Sequence, residues 1–151
     1  MIRDDIKAAT VAAMKSGDKA LVGTLRMVQA AIKNRDIEAR TGGAPAEDDQ
    51  LVTEVLQKMI KQRRESAEAY RKGGREDRAA AEEAEIAAIE RFLPAQMSDE
   101  EARAAIAAVI AETGASSVKD MGKVMAEVKA RHAGALEPAR ASALVKQMLG
   151  G

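Results

Sequence analysis

Residues 119–149 read KDMGKVMAEVKARHAGALEPARASALVKQML and contain the pattern of two short helices joined by a turn. The first apolar stripe consists of Met121, Val124, Met125 and Val128. This spacing of i, i+3, i+4 and i+7 is typical of a helix with one buried face. Gly134 is placed to end that helix, and Pro138 stands where a proline opens the next one. The stretch therefore predicts packed helices and no sheet.

The same helical periodicity extends over the rest of the chain. Seven helices are predicted, at about 2–16, 19–41, 48–72, 76–92, 99–113, 118–132 and 138–149. Asp18 and Ser98 precede the second and fifth helices as N-caps. Ser116 or Ser117 is the expected cap of the sixth. No segment alternates apolar and polar residues as a strand does, so the fold class is predicted to be all-α.

Pro94 interrupts the helical pattern and marks a predicted domain boundary within residues 93–97. The four helices before it are expected to form an N-terminal bundle of residues 1–93. The three helices after it are expected to form a smaller C-terminal bundle of residues 94–151. The chain has 33 alanines and only two aromatic residues, Tyr70 and Phe92, which favours closely approaching helices.

Several classes of chemistry are missing from the sequence. It has no cysteine, which excludes disulfides, thiolate metal sites and a cysteine nucleophile. It has no P-loop, GxGxxG, HExxH or GxSxG motif. The single histidine, His132, lies in a last helical turn, where histidines usually contact terminal carbonyl groups. We therefore expect no catalytic residue, no metal, no cofactor, and no enzyme activity of the chain on its own.

The charge of the chain is balanced, with 24 basic and 24 acidic residues. Division at Pro94 gives 17 of each sign before it and 7 of each sign after it. A nucleic-acid contact must therefore be a local patch, because such proteins usually carry a basic excess. No apolar run approaches membrane-spanning length, and the acidic N-terminus has no signal-peptide pattern. These observations favour a cytoplasmic location.

One charged pair is predicted between the third and fourth helices. Arg63 lies on the apolar stripe of the third helix, and Glu82 lies on that of the fourth. The Gly73-Gly74 turn folds these helices antiparallel, so we expect an Arg63–Glu82 ion pair, or Arg63–Glu85 if the register shifts by one turn. The pair is interpreted as structural. The alternative is an anion-binding arginine that is held by a carboxylate.

Two groups of cations are candidates for a nucleic-acid interface. Arg26, Lys33 and Arg40 are spaced by seven along the second helix and cover about 21 Å, which suits a phosphate backbone. The alternative is ordinary surface charge. In the tail, Lys119 and Lys123 flank Gly122, whose missing side chain permits another backbone to approach closely. For this glycine the alternative is tight packing against a neighbouring helix.

The tail quoted above resembles the tail domain of the GatB subunit of tRNA-dependent amidotransferases. Three further blocks resemble the N-terminal signature of the stand-alone GatB/YqeY domain family: LRMVQAAIKNRDIEAR (25–40), LQKMIKQRRESAEAYRKGGRED (56–77) and EEAEIAAIERFLP (82–94). The resemblance implies two helical bundles and an RNA-facing set of Lys119, Gly122, Lys123, Arg131 and Lys146. The second contact would be Arg26, Lys33 and Arg40, on the N-terminal bundle.

The resemblance leads to one function and two alternatives. The expected function is that of a non-catalytic accessory module that associates with tRNA. The first alternative is a protein-interaction module without RNA affinity, with a translation-related protein as its partner. The second is a carbon–nitrogen ligase that uses glutamine as amido donor, which the relationship to the amidotransferase implies.

Overall fold

The computed structural model describes residues 1–150, and its regular structure is helical throughout. The α-helices are α1 (Ile2–Ser16), α2 (Lys19–Ala39), α3 (Asp48–Lys72), α4 (Glu76–Glu90), α5 (Asp99–Thr113), α6 (Met121–His132) and α7 (Pro138–Gly150). A short 3-10 helix, Val118–Asp120, precedes α6, and no strand occurs among the described residues. The predicted all-α class is confirmed.

The helix ends follow the capping residues of the sequence. The Asp18 carboxylate accepts a hydrogen bond of 3.1 Å from the Leu21 N–H at the start of α2. Ser98 and Glu101 form a reciprocal capping box at the start of α5. Both predicted caps are confirmed, and each satisfies N–H groups that lack a partner within the helix.

The predicted sixth helix differs from the observed one at its beginning. Residues 118–120 form the 3-10 turn, and the α-helix starts at Met121. The Asp120 carboxylate accepts hydrogen bonds from the N–H groups of Ser116, at 3.0 Å, and Ser117, at 3.4 Å. These bonds lower the pKa of Asp120. The Asp120 carboxylate, which follows Ser116 by four residues and Ser117 by three, thus bends this loop into a tight turn.

Contacts between α-carbons group the chain into two compact units, Met1–Leu93 and Pro94–Gly151. In the first unit, α3 packs along α4, α1 packs along α2, and α2 also contacts α3 and α4. Its fully buried side chains include Ile6, Leu25, Val28, Val52, Leu56 and Ile89. Phe92 is partly buried and packs against this core.

In the second unit, α5, α6 and α7 contact one another around a small aliphatic core. Its fully buried side chains include Ala102, Ile106, Val109, Val124 and Val145. The unit contains no aromatic residue. Burial of short aliphatic groups is therefore the main force that stabilises it.

Arg3 joins three helices of the first unit. Its guanidinium donates two hydrogen bonds to Asp36 of α2, at 2.8 and 2.9 Å, and two to Asp48 of α3, at 2.9 and 3.3 Å. The Ile2 N–H donates to the Asp49 carboxylate at 3.0 Å. The bond from Arg3 is the largest cause of the lowered pKa of Asp36. The start of α1 is thus fixed to the end of α2 and the start of α3.

The α3–α4 hairpin is symmetrical about Gly74, which has a φ of 74°. Arg63 Nε donates to Glu85 Oε2 at 2.9 Å. The Arg78 guanidinium lies 5.9 Å from the centre of the Tyr70 ring. The two members of each pair are equally far from Gly74 in sequence, as an antiparallel hairpin requires. Arg63 therefore pairs with Glu85 and not with Glu82, which corrects the first expected partner by one turn.

Candidate nucleic-acid interface

Gly122 lies in the first turn of α6, with open space beside it. A β-carbon at this position would meet no atom of another element within 4 Å. The residue is exposed. The alternative of tight packing against a neighbouring helix is therefore wrong. A glycine within a helix costs up to about 1 kcal/mol relative to alanine, so the fold of this unit gains nothing from its presence.

The two lysines that flank Gly122 are both exposed. The Lys119 side chain forms no hydrogen bond or ion pair with any of residues 1–150. Lys123 Nζ donates a long hydrogen bond of 3.4 Å to the carbonyl oxygen of Thr113, the last residue of α5. The positive charge of Lys123 thus interacts favourably with the negative end of the α5 helix dipole. The Lys119 side chain has no polar partner of this kind among the described residues.

The Arg131 side chain is held by ion pairs, whereas the Lys146 side chain is not. Arg131 forms an ion pair of 2.5 Å with Glu112 of α5 and one of 3.6 Å with Glu127 of its own helix. The bond to Glu112 is the main cause of the raised pKa of Arg131. Lys146 is exposed on α7 and has no such partner in the part of the chain described. Arg131 therefore connects α5 to α6, and Lys146 is available for a ligand.

Arg26, Lys33 and Arg40 lie along an exposed stripe of α2 and its C-cap. None of the three forms an ion pair within residues 1–150. Asp36, which the sequence places within reach of Lys33 and Arg40, is instead bound by Arg3. The carboxylate oxygens of Asp36 thus accept hydrogen bonds from Arg3 and not from the stripe, although the charge of Arg40 also contributes to the lowered pKa of Asp36.

A groove of about 380 Å³ runs between α1 and α2 beside this stripe. It is lined by Arg3, Lys7, Gln29, Ala30, Ile32, Lys33 and Asp36. Lys7 is exposed, lies across the groove from Lys33 and extends the basic surface onto α1. The sequence interpretation missed Lys7 because it considered α2 alone. Folding α1 back on α2 at Gly17 would have placed Lys7 near Lys33.

The first unit is neutral, but its two helix pairs have opposite net charge. Residues 1–40, with α1 and α2, hold eight basic and five acidic side chains. Residues 41–93, with α3 and α4, hold nine basic and twelve acidic side chains. On α3 and α4 many cations are paired, as in Arg71–Glu83 at 2.6 Å and Lys72–Glu68 at 3.3 Å. The basic surface of this unit is therefore on α1 and α2.

Arg63 is the least exposed cation of the α3–α4 hairpin, with 13% of its side chain accessible. Besides Glu85, its guanidinium donates to the carbonyl oxygen of Met59 at 3.2 Å and to Met27 Sδ at 3.8 Å. All the contacts of this group are thus with α2, α3 and α4. This geometry favours the structural interpretation of Arg63 over an anion site.

The corrected partner of Arg63 leads to a prediction. Glu85→Gln is expected to lower the free energy of unfolding by about 1 kcal/mol, because the pair is partly shielded from water. Glu82→Gln, on the same helix and also half-buried, is the matched control and should change stability by less than about 0.5 kcal/mol. Urea unfolding at neutral pH measures both. Equal losses in the two variants would contradict the observed register.

The described residues form neither a metal-binding cluster nor a membrane-spanning helix. Across residues 1–150, no group of three or more His, Cys, Asp or Glu side chains is placed to hold a metal ion. Over the same residues, none of the helices combines the length and apolar character that crossing a membrane requires.

The fold and surface define an all-α protein of packed helices with unpaired cations on α1, α2, α6 and α7. The sequence profile of the family described as "Yqey-like protein" matches residues 3–149. A Schizosaccharomyces pombe sequence described as "Uncharacterized protein C22F3.15" is 33% identical over 94 residues, which are 62% of this chain and 73% of that one. The chain therefore belongs to the YqeY-like protein family, as its sequence blocks predicted.

Proposed function

We propose that this protein is a non-catalytic accessory module that associates with folded RNA, with tRNA as the expected ligand, in the cytoplasm. Gly122 is the observation that carries the proposal, because it is a helical glycine with no packing role. A bare backbone between Lys119 and Lys123 suits the close approach of a phosphate backbone, which cations attract. The resemblance to the amidotransferase tail supports tRNA as the ligand.

The second proposed contact is the basic surface of α1 and α2. Arg26, Lys33 and Arg40 form no ion pair among the described residues, and Lys7 adds a cation across the groove. Successive members of the stripe on α2 are about 10 Å apart along the helix axis. They would therefore contact phosphates that are not adjacent, as along the surface of a folded RNA.

The proposed recognition depends on phosphates and shape. Base stacking needs exposed aromatic side chains, and this chain has two aromatic residues. Phe92 packs against the core of the first unit, and the Tyr70 ring is in contact with the Arg78 guanidinium. Neither aromatic ring lies on the proposed surface. A ligand with a fixed backbone shape, such as a structured RNA, fits this surface better than a flexible single strand.

We further propose that the two compact units are independent domains, a four-helix bundle of residues 1–93 and a three-helix bundle of residues 94–151. Each unit has its own buried aliphatic core. Pro94, at the start of the second unit, lacks the N–H that would continue a helix. The two proposed RNA contacts would then be on separate domains.

The RNA proposal is tested with tRNA binding at several salt concentrations. The double variant Lys119→Gln/Lys123→Gln should weaken binding about tenfold and lower the salt slope by about 0.7–0.9 for each lost phosphate contact. Arg103→Gln is the matched control. Arg103 is also exposed and has no ion pair among the described residues, but it lies near the start of α5, ten residues or about 15 Å along the helix from Thr113, which Lys123 contacts. It should change the affinity by less than about twofold.

Gly122→Gln gives a second test that is independent of charge. Because a side chain meets open space here, the variant should keep or raise the stability of the C-terminal unit. If RNA approaches this backbone, the same variant should weaken tRNA binding about tenfold. No binding of the unaltered protein at low salt would refute the RNA proposal. An equal effect of Arg103→Gln would refute this choice of surface.

A further inference from the structure

A second groove lies at the other end of the α1–α2 hairpin, next to the turn. It has a volume of about 400 Å³ and is lined by Ala13, Met14, Gly17, Lys19, Val22, Gly23 and Arg26. Most of these side chains are apolar, whereas those of the groove around Lys7 and Lys33 are mainly polar. The apolar part of this lining cannot bind a phosphate group, so this end of the hairpin suits a ligand that also carries an apolar group.

Gly23 keeps this groove open. It lies in the second turn of α2, and a β-carbon there would meet no atom of another element within 4 Å. A glycine inside a helix is less favourable than alanine, and no close packing offsets this cost here. The sequence interpretation did not consider Gly23, because only the position of α1 shows that it borders a cavity.

The apolar surface at this groove is not covered by any of residues 1–150. Met14 is 54% exposed, and Val11, one turn earlier on α1, is 50% exposed. They are two of the six exposed large hydrophobic side chains of the protein's described part. Methionine adapts to different shapes and is common at surfaces that bind peptides. Met14 and Val11 thus leave apolar area beside the groove that a further apolar group could cover.

The charges around the groove indicate the chemistry of that molecule. Lys19 and Arg26 line it, Lys15 follows Met14 on α1, and all three are exposed without an ion pair in residues 1–150. The nearest acid along the chain is Asp18. Its carboxylate accepts from the Leu21 N–H and favours the positive end of the α2 dipole. The rim of an apolar groove is therefore positively charged.

We propose that this groove docks an acidic segment of a partner protein, which inserts one large aliphatic side chain between Met14, Val22 and Gly23. The acidic residues of the segment lie against Lys19 and Arg26. This inference does not depend on RNA binding, although Arg26 belongs to both surfaces. Its critical variants, at Gly23 and Met14, change the volume and polarity of the groove and leave every cation in place.

The test is a selection of random peptides of about 12 residues on the immobilised full-length protein, with duplex RNA as a competitor. The selected peptides should be acidic and contain a large aliphatic residue. Gly23→Gln should weaken the best peptide about tenfold, as expected when one aliphatic side chain loses its site. Met14→Gln should act in the same direction. Lys19→Gln should weaken binding and reduce its salt dependence.

The control is Ala20→Gln, at an exposed position of α2 that does not line the groove. It should bind the peptide as the unaltered protein does. Gly23→Gln should have the same or a higher melting temperature, so a loss of binding cannot result from misfolding. Two results would overturn the proposal. They are selected peptides without acidic residues and peptide affinity unchanged by Gly23→Gln. Some displacement by duplex RNA is expected, because Arg26 belongs to both surfaces.

Discussion

Ile106→Ala is expected to unfold the C-terminal unit and leave the N-terminal unit folded. Ile106 is fully buried at the centre of α5, in a core of nine residues without an aromatic side chain. Removal of such a side chain costs about 2–5 kcal/mol. That cost is comparable to the whole stability of a small domain, which is often only about 3–5 kcal/mol. The unit should therefore be largely unfolded at 37 °C.

Amide hydrogen exchange of the full-length variant measures this effect. Amides of α5, α6 and α7 should lose protection, while those of α3 and α4 should keep it. Leu56→Ala is the reciprocal variant, because Leu56 is fully buried in the first unit. It should lower protection in α1 to α4 and leave α5, α6 and α7 protected. If either variant exposes both units together, the proposal of two independent domains fails.

Arg3→Lys is expected to lower the free energy of unfolding by about 1–2 kcal/mol at pH 7. Lysine keeps the positive charge but cannot form the two double hydrogen bonds that Arg3 makes to Asp36 and Asp48. The estimate is lower than that for a buried pair, because 24% of the arginine and 30–39% of the carboxylate side chains are exposed.

The effect of Arg3→Lys should depend on pH in a defined direction. The pKa of Asp36 is lowered in the folded protein, mainly by its bond to Arg3. Its contribution to stability is therefore complete above the unfolded value of 3.8, and it is lost as the pH falls through the folded value. Urea unfolding should show a smaller difference between the two proteins near pH 3 than at pH 7. A constant difference would mean that the Arg3–Asp36 bond contributes no stability.

Local features of the fold could be predicted from the sequence. Asp18 and Ser98 were identified as N-caps because a cap depends on residues within one turn of it. The starts of α1 to α5 all agree with the predicted ones, although only α2 and α5 have a side-chain cap hydrogen bond. Ser117, one of the two expected caps of the sixth helix, is the N-cap of the 3-10 turn at Val118–Asp120. The sequence alone did not show that this turn is 3-10 or that the Asp120 carboxylate reaches back to the Ser116 N–H.

Sequence reasoning missed the features that depend on how two helices pack against each other. The partner of Arg63 follows from the sequence distance of each residue to the turn. Arg63 precedes Gly74 by eleven residues and Glu85 follows it by eleven, whereas the sequence prediction paired Arg63 with Glu82. Arg3 and Lys7 became informative only when α1 was placed against α2. For Gly122 the sequence left two explanations open, close packing against a helix or close approach of an RNA backbone. Only the empty space beside α6 excludes the first of them.

The opposite charges of the two helix pairs have a kinetic consequence. A unit with no net charge but with cations on α1 and α2 and excess carboxylates on α3 and α4 has a permanent electric dipole. In the field of a polyanion, such a dipole rotates so that its basic end leads, which raises the rate of productive encounters. Added salt should reduce this rate even though the chain is neutral, because screening acts over about 10 Å at 0.1 M ionic strength. Neutrality therefore does not prevent rapid, oriented capture of an anionic partner.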